Sequence, residues 1–380
     1  MLILSVLVLF LAFQVVPLVA YYFWMRRKSK LAWGLILNEN YTPKVTLIVA
    51  TYNEAVSINE RLRNAQEIDY PSDKLQIIIV DSASSDGTAD RCRRFLETNT
   101  MKFPIRLISE SERLGKSHAL NAALKYADGD IIATSDADSL WEPDALAKAV
   151  SYFADPTVGA VSGREELSNL NKSVHTQSEG LYRQFYYTLR LGESKVHSTL
   201  VFQGELALYR RSMLEKFEDR PGYSDDTGTI INMISKGHRC IFIPSAVFHD
   251  MAAHSLSGRL TVKSRRAEHL IAGVIESFRS KVRRQIPLPF AIVFFNLYMH
   301  VLSPLIFIGS LYMLAIFFIL DPWIALVAVI AVCLFSCLRK PRLLMTSYLT
   351  SNIALVIGLF HHFFGKKQSS WRKIDEMREG

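Results

Sequence analysis

The feature that most constrains the fold is the stretch of residues 130–139, which reads DIIATSDADS. A short apolar run precedes two carboxylates, Asp136 and Asp138, separated by one alanine. Such a run predicts a buried strand, and residues two apart on an extended backbone point to the same side. Carboxylates that close repel each other unless a cation lies between them or one takes a proton. The stretch therefore predicts a site for Mg²⁺ or Mn²⁺, which favour oxygen ligands and share them with substrate phosphates; a solvated acidic turn is the alternative.

Three further apolar runs, at residues 44–50, 75–80 and 105–109, also end in polar side chains. Thr51, Asn53 and Glu54 follow the first run, and Asp81 follows the second. Helices predicted at residues 88–97 and 117–127 alternate with these strands, which is typical of an α/β fold built on a parallel sheet. Ligands in such folds bind beyond the carboxyl ends of the strands, so we expect these polar residues to line one crevice.

The segment 115–117, which reads GKS, superficially resembles a phosphate-binding loop. The glycine that such a loop needs five residues earlier is replaced by Glu110, so that motif is absent. Lys116 at the start of a predicted helix can still hold a phosphate. No G-x-G-x-x-G motif follows the first strand, which excludes a dinucleotide site of that kind.

Residues 1–25 contain no charged side chain and are long enough to cross a bilayer as a helix. An aromatic group at residues 21–24 is followed at once by Arg26, Arg27, Lys28 and Lys30. The positive-inside rule then predicts a retained anchor, with everything after Arg26 in the cytoplasm. Residues 26–42 are interpreted as a juxtamembrane connector that carries a short interfacial helix.

The C-terminal part alternates basic and apolar segments. Residues 277–289 are predicted to lie at the membrane surface, where Arg283 and Arg284 would hold the phosphate of an acceptor or lipid headgroups. Residues 290–365 are predicted to form two to four membrane spans, and residues 366–380 a polar tail. Three crossings would place the lysines after residue 365 outside, so an interfacial helix at 290–303 and a broken first run stay open as alternatives.

The formal charge of +8 and the apolar ends favour an anionic membrane surface and phosphate-bearing substrates as partners. No basic stripe interleaved with aromatic residues and no helix-turn-helix pattern is present, so nucleic acid is not expected as a partner. The four cysteines have neither zinc-ligand spacing nor the framework of a disulfide-rich secreted protein. This usage fits a reducing, cytoplasmic compartment.

Four motifs in succession resemble those of family 2 glycosyltransferases: TLIVATYNE at 46–54, IIIVDSASSDGT at 77–88, GKSHALNAAL at 115–124 and DIIATSDADS at 130–139. The resemblance continues through FQGELALYRRS at 202–212 and a segment at 223–244 that begins YSDDTGT. The resemblance implies an α/β, GT-A, Rossmann-like mixed sheet over residues 43–276, a nucleotide-sugar donor and transfer with inversion. UDP is the common nucleotide in that family, and Mn²⁺ or Mg²⁺ is the expected cofactor.

The resemblance also implies roles for individual residues. Asp226 would be the general base and Asp138 the metal ligand. Donor-binding positions would be Thr51, Asn53, Glu54, Asp81, Lys116, Asp136, Gln203, Gly204, Arg265 and Arg266. Read without the resemblance, Asp225 and Asp226 could instead cap a helix predicted at 227–236, with Ser224 as another candidate cap. His249 and His254 stay open as a further metal ligand or as ordinary loop histidines.

The resulting hypothesis is an integral protein of the cell membrane whose cytoplasmic domain transfers sugar to a lipid-linked or glycan acceptor. A processive polysaccharide synthase is the alternative, but the Gln-x-x-Arg-Trp motif of such enzymes is reduced to KSRRA at 263–267. Ala267 replaces the tryptophan on which an acceptor sugar would stack. An inactive scaffold is disfavoured because the acidic residues are all present, and a transporter because the apolar segments carry few polar residues.

Overall fold

The computed structural model describes residues 2–365, so the tail predicted at 366–380 lies outside the described residues. An eight-stranded sheet runs in the order β3-β2-β1-β4-β7-β6-β8-β5. The strands are β1 Val45–Thr51, β2 Leu75–Asp81, β3 Ile105–Ser109, β4 Ile131–Asp136, β5 Leu140–Trp141, β6 Val158–Leu167, β7 Ala207–Arg210 and β8 Arg239–Asp250. The parallel arrangement predicted for β1 to β4 is confirmed. β7 runs antiparallel to both of its neighbours, so the whole sheet is mixed.

Helices cover both faces of the sheet, which explains why the central strands are apolar on both sides. In β1, Leu47 and Val49 face one hydrophobic core, whereas Ile48 faces the other. The first core is closed by α2 Ile58–Glu67, α3 Thr88–Thr98 and α5 Ala145–Val150. The second core is closed by α4 Lys116–Leu124 and α7 Asp225–Ser235.

The link between β4 and β5 shows that the sheet curls. Only three residues separate these strands, although the sheet order places β5 four positions away from β4. Four strand spacings in a flat sheet are about 19 Å, whereas four Cα steps reach at most about 15 Å. The far edge must therefore bend back toward the end of β4, which brings β8 beside it through the pairing of Leu140 with His249.

This curl corrects one sequence prediction. β4 ends at Asp136, and residues 137 and 138 form a turn, so Asp136 and Asp138 do not lie on one extended strand as predicted. The chain has to leave β4 abruptly in order to reach β5. The two carboxylates therefore lie on either side of a strand end rather than along it.

In the described part of the chain, three helical stretches are long and apolar enough to cross a membrane: Ser5–Lys28, Phe290–Leu320 and Arg339–Phe364. They belong to α1 Leu2–Lys28, to the pair α9 Phe290–Leu297 and α10 Ser303–Leu320, which a wide helical turn joins, and to α12 Arg339–Phe364. Between α10 and α12 lies the 16-residue α11 Pro322–Cys337. The connector before β1 contains turns and extended chain rather than the predicted interfacial helix. Trp33 there packs on Tyr152 of the soluble part, which fixes its path.

Buried polar contacts join the apolar helices to one another and to the soluble part. Gln14 of α1 donates to Ser303 of α10 at 2.8 Å. Tyr21 of α1 donates to Glu193 at 2.6 Å, on α6 Val174–Val196. α12 packs along α8 Leu256–Val282, with Gly358 against Ala267. α6 and α8 therefore form the layer between the sheet and the apolar helices.

Candidate active site

Lys116 lies at the centre of a carboxylate cluster at the carboxyl end of the sheet. It opens α4 directly after Gly115, whose φ of +102° is a conformation that favours glycine. Its Nζ lies 2.5 Å from Asp136 Oδ1 and 3.6 Å from Asp225 Oδ2. Burial alone would lower the pKa of Lys116, but Asp136, Asp225 and Glu205 outweigh burial and raise it above its ordinary value. The lysine is therefore a permanent cation held by carboxylates from two elements distant in sequence.

The pKa of Asp136 responds to the same contacts in the opposite sense. Burial would raise it, but Lys116, Arg266 and Arg265 hold it below its ordinary value. Asp136 is therefore ionised at neutral pH. Since β4 ends here, the carboxylate lies where open α/β sheets bind their ligands.

Gly204 permits the close approach of these groups. A Cβ at this position would lie 3.2 Å from Lys116 Nζ, 3.5 Å from Asp225 Oδ2 and 3.6 Å from Asp226 Cβ. Its carbonyl accepts from Thr134 Oγ1 at 3.0 Å, which anchors it to β4. Its N–H donates to Asp226 Oδ2 at 3.2 Å. Any larger residue would press on the cluster.

Asp225 and Asp226 form the first turn of α7. Ser224 caps this helix by accepting from Thr227 N at 3.2 Å, so one of the predicted caps is confirmed. Asp226 is oriented by two backbone donors, Gly204 N and Thr227 N, the second at 2.5 Å. Burial, opposed by Lys116 and assisted by Asp226 and Asp136, raises the pKa of Asp225 to about 6. The adjacent aspartates thus differ, one tied to Lys116 and the other to the backbone.

A second group of predicted residues lies where the loops after β1 and β2 are bonded together. Asn53 N donates to Ser84 Oγ at 2.8 Å, and Glu54 N donates to Thr88 Oγ1 at 2.7 Å. The Thr51 hydroxyl is buried and donates to the Val80 carbonyl at 3.2 Å, so Thr51 supports the loop from behind. Asp81 is buried, and among the described residues its Oδ1 has no hydrogen-bond partner.

Gln203 and the two predicted arginines lie across the same cleft. Gln203 Oε1 accepts from Arg190 at 2.7 Å, and Gln203 Nε2 donates to Glu165 at 2.5 Å. Arg266 donates to Glu205 Oε1 at 2.9 Å. Lys116, Asp136, Gln203, Gly204, Asp226, Arg265 and Arg266 all line this cleft, whose empty volume is about 1150 Å³ including space open to solvent. The structure thus brings together predicted residues that lie more than a hundred positions apart.

Asp138 has a carboxylate neighbour that sequence reasoning missed. Asp250, the last residue of β8, is buried, and burial followed by the charges of Asp138 and Glu205 raises its pKa well above the usual value. Among the side chains that the structure describes, no three His, Cys, Asp or Glu residues are arranged to hold a metal ion. One or two carboxylates completed by substrate phosphates are how Mg²⁺ is commonly bound, so Asp138 and Asp250 fit a divalent cation shared with a diphosphate.

His249, one of the two histidines considered as metal ligands, is paired with a carboxylate in the structure. Its Nε2 lies 2.6 Å from Glu142 Oε1, a contact that the β5–β8 pairing brings about. The signal that could have pointed to Asp250 was the sequence HD at the end of an apolar run. It became informative only once β8 was known to curl toward β4.

Comparison with known proteins agrees with this arrangement. The family model described as "Glycosyl transferase family 2" matches residues 46–217. The "Probable glycosyltransferase YdaM" of Bacillus subtilis is 29% identical over 214 residues, which are 55% of this chain and 51% of that protein. The "Poly-beta-1,6-N-acetyl-D-glucosamine synthase" of Staphylococcus aureus is 24% identical over 249 residues, which are 65% of this chain and 59% of that protein. The chain thus spans between half and three fifths of these curated relatives.

A solved structure extends the likeness to nearly the whole chain. It is "Mannosyltransferase PcManGT from Pyrobaculum calidifontis in complex with GDP-Man and Mn2+". It is 32% identical, covers 96% of this chain and 100% of its own, and superposes with a TM-score of 0.82. The mixed sheet is accordingly a GT-A fold and the protein is a glycosyltransferase. With its motifs, its fold and a relative of this extent in agreement, the chain belongs to glycosyl transferase family 2.

Proposed function

We propose that this protein is a membrane-bound, inverting glycosyltransferase that moves a sugar from a nucleotide-sugar to a lipid-linked or glycan acceptor at the cytoplasmic face. The observation that carries the proposal is Lys116, which holds Asp136 and Asp225 in one cleft with Asp226. A buried cation among carboxylates suits a reaction in which a diphosphate leaves and a hydroxyl loses a proton.

The donor diphosphate would lie at the carboxyl end of β4. Lys116, Arg265 and Arg266 line the cleft there and supply positive charge. Asp138, with Asp250 beside it, would hold Mn²⁺ or Mg²⁺, and Mn²⁺ accompanies GDP-Man in the PcManGT complex. A divalent cation bound there would neutralise charge that develops on the leaving diphosphate.

Asp226 is the proposed base. Its two backbone hydrogen bonds fix the carboxylate at the cleft wall, where it would take the proton of the attacking acceptor hydroxyl. Asp225 instead contacts Lys116 and so keeps the lysine in place beside Asp136. Asp81 Oδ1, buried and unpaired among the described residues, would accept a hydrogen bond from the nucleobase.

One packing contact favours single transfer over polymer synthesis. Ala267, at the position where processive members carry tryptophan, lies so near Gly358 that a Cβ on Gly358 would approach the Ala267 methyl to 2.8 Å. A tryptophan there would require α12 to move away from α8. A processive polysaccharide synthase stays the alternative function, because the chain is also 24% identical to the poly-N-acetylglucosamine synthase.

A donor screen tests the proposal. Purified full-length protein is given GDP-mannose, UDP-glucose, UDP-N-acetylglucosamine and UDP-galactose with Mn²⁺, Mg²⁺ or EDTA, and released nucleotide is measured. We expect hydrolysis of one donor class, loss with EDTA, and loss in Asp138→Asn. Release that is unaffected by EDTA would refute the metal assignment, and the absence of turnover with every donor would refute the enzyme proposal. Long polymer among the products would support the processive alternative.

A further inference from the structure

A second cavity extends the candidate active site away from Asp226 and toward the apolar helices. We call it the basic chamber: it is lined by Glu179, Arg183, Arg259, Lys263 and Arg266, with an apolar end formed by α12. Its empty volume is about 710 Å³. Five residues line both this chamber and the catalytic cleft, so the two spaces adjoin: Glu179, Tyr182, Arg183, Arg266 and Leu270.

The chamber holds more positive than negative charge. Of the described residues that line it, Glu179 is the only carboxylate, and it contacts Arg259 at 2.7 Å and Lys263 at 3.1 Å. Arg183 and Arg266 have carboxylate partners in the neighbouring wall, Glu165 and Glu205. Four cations thus share three carboxylates, and Glu179 serves three of them, because Arg183 also lies 3.4 Å from it.

Three of these cations, Arg183, Arg259 and Lys263, are largely buried, which makes the imbalance costly, whereas Arg266 is partly open to solvent. Arg259 is 2% exposed and its Nε has no hydrogen-bond partner among the described residues. Burial lowers the pKa of Lys263 to about 8, although Glu179 opposes this. A buried charge is stable only when it is paired and hydrogen-bonded. An additional anion in the chamber would therefore be stabilised by the charges of its lining.

The far end of the chamber is apolar and belongs to a candidate membrane helix. Ser351, Ala354 and Leu355 of α12 close it, and Lys263 Nζ donates to Ser351 Oγ at 3.2 Å. The near end is bounded by Tyr182, a residue that also lines the catalytic cleft, and the Lys263 Nζ lies over the Tyr182 ring, 3.3 Å from its centre. The chamber thus presents an aromatic ring, cations and apolar side chains.

We infer that the basic chamber binds the phosphate of a lipid-linked acceptor on Lys263, beside the pair formed by Arg259 and Glu179. The lipid chain lies against Ala354 and Leu355, and the sugar extends past Tyr182 so that its hydroxyl reaches Asp226. The inference rests on the proposed function and adds the class of acceptor, a prenyl phosphate or diphosphate that carries sugar. It moves the phosphate away from the exposed Arg283 and Arg284 at the end of α8. These residues lie about 30 Å along the helix from Lys263.

The test measures equilibrium binding of radiolabelled farnesyl phosphate to full-length protein at a fixed detergent concentration, without donor. We expect the wild type to bind it at least tenfold more tightly than farnesol or inorganic phosphate. Lys263→Gln should weaken binding about tenfold or more, the loss of one charge-assisted hydrogen bond. Lys263→Arg should stay within about threefold, because the charge remains. The matched control Arg283→Gln/Arg284→Gln, directly after the end of the same helix, should bind as the wild type does.

Several results would overturn the inference. If farnesol bound as tightly as farnesyl phosphate, the chamber would be only a groove for the lipid chain. If inorganic phosphate bound as tightly, it would be only a site for a free anion. Competition by phosphatidylglycerol at equal concentration would indicate a general headgroup site. A greater loss in the Arg283/Arg284 variant would return the phosphate to the surface, and an equal loss of donor affinity in Lys263→Gln would assign the chamber to the donor.

A second variant covers the case in which Lys263→Gln does not fold. Ser351→Phe fills the α12 end without removing a charge, and it should weaken farnesyl phosphate binding, whereas Ser351→Ala should not. Unchanged binding in Ser351→Phe would contradict the inference. Nucleotide release in the donor screen is measured separately. If the protein turns over a donor but does not bind farnesyl phosphate, only the assignment of the basic chamber is refuted. If no donor is turned over, the proposed function itself is refuted.

Discussion

Replacing Lys116 with methionine tests the electrostatic core of the site. Lys116 Nζ lies 2.5 Å from Asp136 and 3.6 Å from Asp225. At an effective dielectric constant of about 20 these attractions are roughly 7 and 5 kcal/mol before the cost of removing the charges from water. Breaking one partner of a buried pair costs about 3–5 kcal/mol net. The Asp136 side chain is 31% exposed, so solvent screens part of this and we expect about 3 kcal/mol.

The assay is thermal unfolding of detergent-solubilised protein without donor or metal, at one scan rate. For a domain of this size, about 3 kcal/mol corresponds to a Tm lowered by roughly 6–12 °C. The matched control is Lys44→Met, which removes a pair with Asp128 of similar length, 2.7 Å, whose side chains are 45% and 52% exposed. That change should cost less than about 1 kcal/mol.

A double-mutant cycle then separates the pair from other effects. Lys116→Met combined with Asp136→Asn should lower Tm by less than the sum of the two single changes, because both remove the same contact. The coupling expected for residues in one network is about 0.5–3 kcal/mol. Equal Tm shifts for Lys116→Met and Lys44→Met, or strict additivity in the cycle, would refute the view that a buried cation holds these carboxylates together.

Four further predictions follow from other contacts. Asp226→Asn should keep donor affinity but lose transfer by about 10²–10⁴-fold; a larger loss in Asp225→Asn would assign the base to Asp225. The pKa of Asp225 is raised from 3.8 to about 6, so the stability its proton confers is present below about pH 4 and lost as pH rises through 6. Asp225→Asn should therefore be more stable than wild type above pH 6, by at most about 3 kcal/mol, with the gap closing toward pH 4 in thermal scans; a constant gap would contradict this. Gly358→Leu should separate α12 from α8 and cost about 1–3 kcal/mol, while Ile353→Leu, at an exposed position of α12, should leave Tm unchanged. A cysteine at Ile36, which is exposed, should resist impermeant thiol reagents added outside intact cells, and its labelling there would invert the proposed orientation.

The residues that the sequence placed correctly depend on local rules. β1 to β4 were recognisable because apolar runs end in polar residues, and Ser224 because a serine hydroxyl caps a helix that starts directly after it. Both signals act within a few residues, so they survive without knowledge of the fold. The family motifs add the order of these elements, which is why Lys116, Asp136 and Gln203 could be named together with Asp226, whereas Thr51, Asn53, Glu54 and Asp81 are not among the residues that line that cleft.

The predictions that were wrong concern places where a distant contact overrides the local pattern. The sequence around Asp136 and Asp138 is compatible with an extended strand, but β4 has to turn at Asp136 in order to reach β5. The connector contains residues that suit an interfacial helix, but Trp33 instead packs on the soluble part. In both cases the packing free energy of a whole element exceeds a local preference of a few tenths of a kcal/mol per residue.

By itself, the sequence determined that β1 to β4 form, that carboxylates end β2 and β4, and which segments are apolar enough to enter a membrane. Only the tertiary structure decided which groups share a space. The pairing of β5 with β8 brings the end of β8 close enough for the charge of Asp138 to act on Asp250, and the packing of α12 on α8 closes a chamber around Lys263. The physical reason is range: periodicity and capping are set by neighbours one turn away, whereas a buried charge acquires its partners from elements that meet only when the chain is folded.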